Sequence, residues 1–171
     1  TRVWDALAPL IAEAKNRVVV SIFASNIHRL RALFEIAKAN KRKVCLMGRS
    51  VRRHVEAATR AGHLADMGHI LVHADAIRRL PREEVLIVAT GTQGEQRAAL
   101  GRLAKDEHPQ LVLEAGDTVV LSARVIPGNE QLVFKMVNDL VRKGVELRWP
   151  MNDRALHVSG HAYQSEQRRM I

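Results

Sequence analysis

"RVVVSIFASNIHRLRALFEIAKA", residues 17–39, decides how this chain folds. Arg17 to Phe23 is a continuous β-branched apolar run, the pattern of a strand covered on both faces. From Ser25 the period changes: Leu30, Leu33, Phe34 and Ala37 recur at helical spacing, with Ser25 or Asn26 as N-cap. The same alternation runs outward from there. "KVCLMG" (43–48) leads into a helical "SVRRHVEAATRAG" (50–62), then come a short "HILVHA" (69–74) and "EVLIVAT" (84–90). "GTQGEQRAALGRLAK" (91–105) reads as loop then helix, and "DTVVLSA" (117–123) as another strand. "GNEQLVFKMVNDLVRKG" (128–144) is a helix capped by Asn129, striped by Leu132, Met136, Val137 and Leu140, and ended by Gly144. "VELRW" (145–149) is the last strand. The alternation predicts a three-layer α/β fold over residues 1–150: a mainly parallel open sheet with right-handed crossovers and helices on both faces. Residues 151–171 read as a connector, where "PMNDRAL" (150–156) breaks the rhythm and "HVSGHA" (157–162) follows.

The totals narrow the class. A length of 171 residues fits one ordinary domain with a proper core. No apolar run approaches the roughly 20 residues of a membrane span, so no membrane partner is expected. The lone Cys45 leaves no disulfide framework and points to a reducing cytoplasm. The opening "TRVWDALAPL" has neither a signal-peptide pattern nor an initial methionine, which suggests a piece of a longer protein. The net charge of +9 is concentrated: from His28 to Arg60, ten basic side chains face only Glu35 and Glu56. A block of that kind suits a polyanion such as nucleic acid. Aromatic residues make up only 4% of the chain, so base stacking is not the expected mode of contact.

In an open parallel sheet ligands gather at the carboxyl ends of the strands. Three junctions there carry suitable chemistry. "FASNIHR" (23–29) sets Ala24, Ser25, Asn26 and the first N–H groups of a helix at a strand end, with Arg29 one turn on. "ATGTQGEQ" (89–96) places Gly91, Thr92 and Gly94 after a buried strand, where glycine lets backbone approach a ligand closely. It matches neither a Walker loop nor G-x-G-x-x-G. "SARVIPGNE" (122–130) reads mainly as turn and cap chemistry. In "HVSGHA", an extended chain would project His157, Ser159 and His161 to one side, with Val158 and Gly160 between them. Such a strip could grip a phosphate or move a proton; as a polar loop it could equally be structural. Two histidines do not complete a metal site, and no H-x-H-x-D-H cluster occurs in the chain.

In that order, "FASNIHR", "ATGTQGEQRAAL", "GDTVVLSARVIPGNE" and "HVSGHA" resemble the β-CASP region of ribonuclease J, within the RNA-processing metallo-β-lactamase family. The resemblance runs from about Arg17 to His161 and implies a Rossmann-like β-CASP fold. It further implies an RNA-binding lid over a metallo-β-lactamase domain that holds two zinc ions, in a homo-oligomeric enzyme. That enzyme would degrade single-stranded RNA from a 5′-monophosphate end, with possible internal cleavage. His157, Val158, Ser159, Gly160 and His161 would touch substrate phosphate, His161 nearest the catalytic centre. Ala24, Ser25 and Asn26 would form the terminal-phosphate pocket, and the Gly91–Thr92–Gly94 loop would lie along the RNA path. The metal ligands have no counterpart in this chain, so zinc would be held by protein outside it. Residues 151–171 would return toward that other domain, and the segment alone would hold no cofactor and cut no RNA. The competing expectation is a self-contained α/β domain that binds a nucleotide or small molecule. It explains the fold and the glycine loops, though not the basic block.

Overall fold

A computed structural model of the protein describes residues 2–65, 67–152 and Leu156. Six strands form one all-parallel sheet in the order β3-β2-β4-β1-β5-β6. They are β1 (Val18–Ser21), β2 (Lys43–Met47), β3 (Leu71–Val72), β4 (Val85–Ala89), β5 (Thr118–Leu121) and β6 (Glu146–Arg148). The helices are α1 (Arg2–Glu13), α2 (Ile27–Ala39), α3 (Arg49–Arg60), α4 (Ala99–Ala104) and α5 (Glu130–Arg142). The three-layer expectation is met. Val18 and Val20 of β1 pack with Leu7 and Ile11 of α1, Leu30, Leu33 and Phe34 of α2, and Val51 and Val55 of α3. Val19 points the other way, into a second core with Leu100 and Leu103 of α4 and Val133, Met136 and Leu140 of α5. Alternate residues of one strand thus feed two cores, which is why the central strands are apolar without interruption.

The order of the strands fixes where a ligand can sit. From β1 the chain passes over β4 to β2 through α2, and from β4 it passes back over β1 to β5 through α4. The loops after β1 and β4 therefore leave adjacent strand ends toward opposite faces of the sheet. That divergence is a topological switch point, where open α/β sheets bind their ligands.

Three details differ from the sequence reading. Helix α1 was not anticipated, since Pro9 lies inside it and removes the bond that its N–H would give to the Asp5 carbonyl. Leu7 and Ile11, both fully buried, outweigh that loss. In α5 the stripe runs through Val133 rather than Leu132, which is exposed. Asn129 occupies the N-cap position but its side chain caps nothing, because its amide turns to Gln93.

Candidate nucleic-acid interface

The carboxyl edge of the sheet is knitted together by main-chain bonds beyond the strands. Ile22 N–H donates to the Ala89 carbonyl at 3.2 Å, Ser122 N–H to Ser21 at 2.9 Å, and Thr90 N–H to Met47 at 3.2 Å. The β1–α2 loop lies at the centre. Asn26 caps α2, its Oδ1 accepting from Arg29 N–H at 3.0 Å, so the N-cap expectation resolves to Asn26. Ser25, exposed beside it, is free of capping duty, and Ala24 is half-buried against the α1–α2–α3 core. The Arg29 guanidinium turns inward and donates to the Ser122 carbonyl, and burial lowers its pKa from the usual value.

The β4–α4 loop forms one wall. Gly91 and Gly94 adopt φ of +114° and +76°, and both are buried, as is Thr92. The space a Gly94 side chain would need is filled by the start of α5: an added Cβ would sit 2.5 Å from the Leu132 carbonyl carbon. Gly91 faces Ala98 and Leu100 in the same way. The glycines thus serve close approach of protein to protein, where the sequence suggested close approach to a ligand. Gln93 between them ties this loop to the one after β5. Its Nε2 donates to Thr92 Oγ1 at 3.3 Å and to the Arg124 carbonyl at 2.9 Å. Its Oε1 accepts from Ile126 N–H at 2.8 Å and Asn129 Nδ2 at 3.3 Å.

Two buried serines meet at the far side. Ser122 Oγ donates to the Leu156 carbonyl at 2.9 Å, both residues being fully buried. This bond holds the residue that immediately precedes "HVSGHA" at the end of β5, beside the end of β1. Ser21 Oγ, also fully buried, has no hydrogen-bond partner among the described residues. An orphaned hydroxyl at a switch point is a feature that calls for a ligand or a cost. His157, Val158, Ser159, Gly160 and His161 lie outside the described residues, as does the rest of the connector except Leu156 and residues 151–152.

The basic block is only partly a face. Arg29 and Arg42 are buried. Arg42 donates to the carbonyls of Ala14 at 2.6 Å and Asn16 at 2.9 Å just past α1, and to Val85 at 3.3 Å. Carbonyls past a helix end lack intrahelical donors, and a guanidinium supplies several at once. Lys43 and Arg31 likewise donate to the His69 and His63 carbonyls. What is left facing solvent without such a bond includes Arg49, Arg52 and Arg53. Among the described residues no three His, Cys, Asp or Glu side chains come together as metal ligands do. None of the described helices is long and apolar enough to cross a membrane.

A family model described as the β-CASP domain of ribonuclease J matches residues 15–140, most of the α/β sheet. The chain belongs to the ribonuclease J β-CASP family. Ribonuclease J of Corynebacterium glutamicum is 42% identical over 165 residues, which cover 96% of this chain and 23% of that protein. Ribonuclease J of Sinorhizobium meliloti is 38% identical over 169 residues, covering 99% of the chain and 30% of that protein. Ribonuclease J of Helicobacter pylori is 38% identical over 166 residues, covering 97% and 24%. The chain therefore spans about a quarter of the length of these ribonuclease J relatives. Within this β-CASP domain the residues missed from sequence are Gln93, Ser122 and Ser21. Ser21 and Ser122 are polar side chains at the ends of buried strand runs, and that placement was the available signal; Gln93 lies within the β4–α4 loop, where nothing local sets it apart.

Proposed function

We propose that this β-CASP domain binds single-stranded RNA for a metal-dependent ribonuclease and seats the 5′-monophosphate at the β1–β4 switch point. The observation that carries the reading is the convergence, on one strand-end edge, of the Ser25–Asn26 loop, the buried Gly91–Gly94 wall and the Ser122–Leu156 bond. Ser25 offers an uncommitted hydroxyl beside the first turn of α2, whose N–H groups and dipole favour an anion. The Gly91–Thr92–Gly94 loop shapes the side of the groove, and Gln93 fixes its position against the β5–α5 loop. In this reading His157, Ser159 and His161 meet the phosphate from the connector, and His161 assists proton transfer near the scissile bond. Zinc, when bound to the complete enzyme, would supply an activated water and a Lewis acid. Its ligands would lie outside this chain, and the chain alone would cut no RNA. Exonucleolytic use of 5′-monophosphorylated ends, some internal cleavage, a cytoplasmic location and a homo-oligomeric parent complete the proposal.

His161→Ala in a full-length protein carrying this domain should reduce kcat far more than RNA affinity. Equal loss in affinity and turnover, or a lowered melting temperature alone, would contradict the assignment. Separately, RNA affinity should fall steeply with salt, because backbone phosphates supply most of the contact. Chelator-sensitive cleavage by the pure 171-residue chain would overturn the division of labour.

A further inference from the structure

Beside the switch point, at the end of β2, a depression of about 500 Å³ is lined by Arg49, Ser50, Arg53 and His54. Arg49, Ser50 and Arg53 are exposed, and neither arginine makes a hydrogen bond or ion pair among the described residues. Arg52 adds a third exposed cation on the same turn. Glu56, the nearest acidic residue in sequence, lines a separate cleft with Thr59 and Arg60. The His54 ring is held by its own helix: Nδ1 donates to the Ser50 carbonyl at 2.8 Å, so Nε2 of the neutral ring is an acceptor and His54 lines the depression without adding a donor. Two guanidiniums without a partner among the described residues, and a hydroxyl, around one concavity match a phosphodiester in charge and supply donors to its oxygens.

The depression lies close to the proposed groove. Gly48, at φ +123°, lies so close to the β4–α4 loop that an added Cβ would be 2.5 Å from Thr90 Oγ1. With β4 between β2 and β1, the two strand ends are two spacings apart, roughly 10 Å.

Resting on the reading above, we infer that Arg49 and Arg53, with the Ser50 hydroxyl, form a second phosphate subsite for an internal backbone phosphate of the same RNA strand. The subsite reads no base and no terminus; it holds the strand as it leaves the 5′-phosphate pocket. Because both arginines are exposed and make no bond among the described residues, replacing them leaves stability within about 0.5 kcal/mol.

The test uses the full-length protein carrying Arg49→Gln and Arg53→Gln together, with Arg142→Gln on the opposite sheet edge as control. Binding of a 5′-monophosphorylated single-stranded oligonucleotide is titrated at several salt concentrations, and a mononucleotide 5′-monophosphate is titrated in parallel. Loss of two contacts to a single strand makes the slope of log affinity against log salt shallower by about 1.4. Mononucleotide affinity and the preference for a 5′-phosphate stay as in the parent, and Arg142→Gln changes neither. An unchanged slope overturns the subsite. Equal weakening of mononucleotide and oligonucleotide also overturns it, since the arginines would then belong to the terminal pocket. Loss of 5′-phosphate preference in Ser25→Ala bears on the first reading and leaves this one separately measurable.

Discussion

Ser21 and Ser122 are both fully buried and sit on adjacent strand ends, yet the same substitution should act on them with opposite sign. Ser122→Ala deletes the donor to the Leu156 carbonyl and leaves that buried oxygen without its partner. An orphaned buried acceptor costs about 1–3 kcal/mol. In a chain of this size each kcal/mol lowers the melting temperature by roughly 2–4 °C. Ser21→Ala removes a hydroxyl that has no partner among the described residues, so stability should stay level or rise by up to about 1 kcal/mol. Urea denaturation of both variants, compared at equal m-value, isolates the difference. If Ser21 keeps its hydroxyl for a ligand, the stabilised Ser21→Ala protein should also bind RNA less well. Equal destabilisation by the two substitutions would refute the hydrogen-bond assignment on which the strand-end geometry depends.

Gly94→Ala should cost at least about 2 kcal/mol, since a side chain at φ +76° is strained and its Cβ meets the α5 backbone; thermal denaturation measures the loss. Asp117→Ala should be more severe, about 3–5 kcal/mol, because the fully buried carboxylate lies between Arg17 and Arg82, 2.7 Å from an Arg82 nitrogen. A scan showing less than 1 kcal/mol would count against that network. Burial pushes the Cys45 thiol up to about 11, so native protein should resist thiol reagents at pH 8 while the urea-unfolded chain reacts at once. The raised pKa also fixes a sign: its contribution to stability is whole below the unfolded thiol's pKa near 8.5 and is lost as pH rises through about 11. A midpoint independent of pH from 8 to 11 would contradict this.

The sheet was legible because "VVV" at 18–20 and "VLIVA" at 85–89 are short, β-branched apolar runs between turn signals, the pattern of strands covered on both faces. The strand-end loops were legible as well, since polar residues follow those runs. Charge could not be read with the same success. Composition counts Arg29 and Arg42 as surface cations, while the fold uses them to satisfy carbonyls that no local pattern reveals as unpaired. Gly94 of "GTQG" packs against the α5 backbone 38 residues away at Leu132, beyond the reach of any sequence window. Helix α1 went unread because Pro9 argues locally against it, and only burial of Leu7 and Ile11 against the sheet decides otherwise.

Ser25 is exposed and makes no capping bond, so Ser25→Ala should fold as the parent does. The rate of degradation of 5′-monophosphorylated RNA relative to 5′-hydroxyl RNA, measured in a full-length protein with and without this change, tests the proposed pocket most directly. The ratio should collapse toward one while the melting temperature holds. An unchanged ratio would place the terminal phosphate elsewhere and contradict the account.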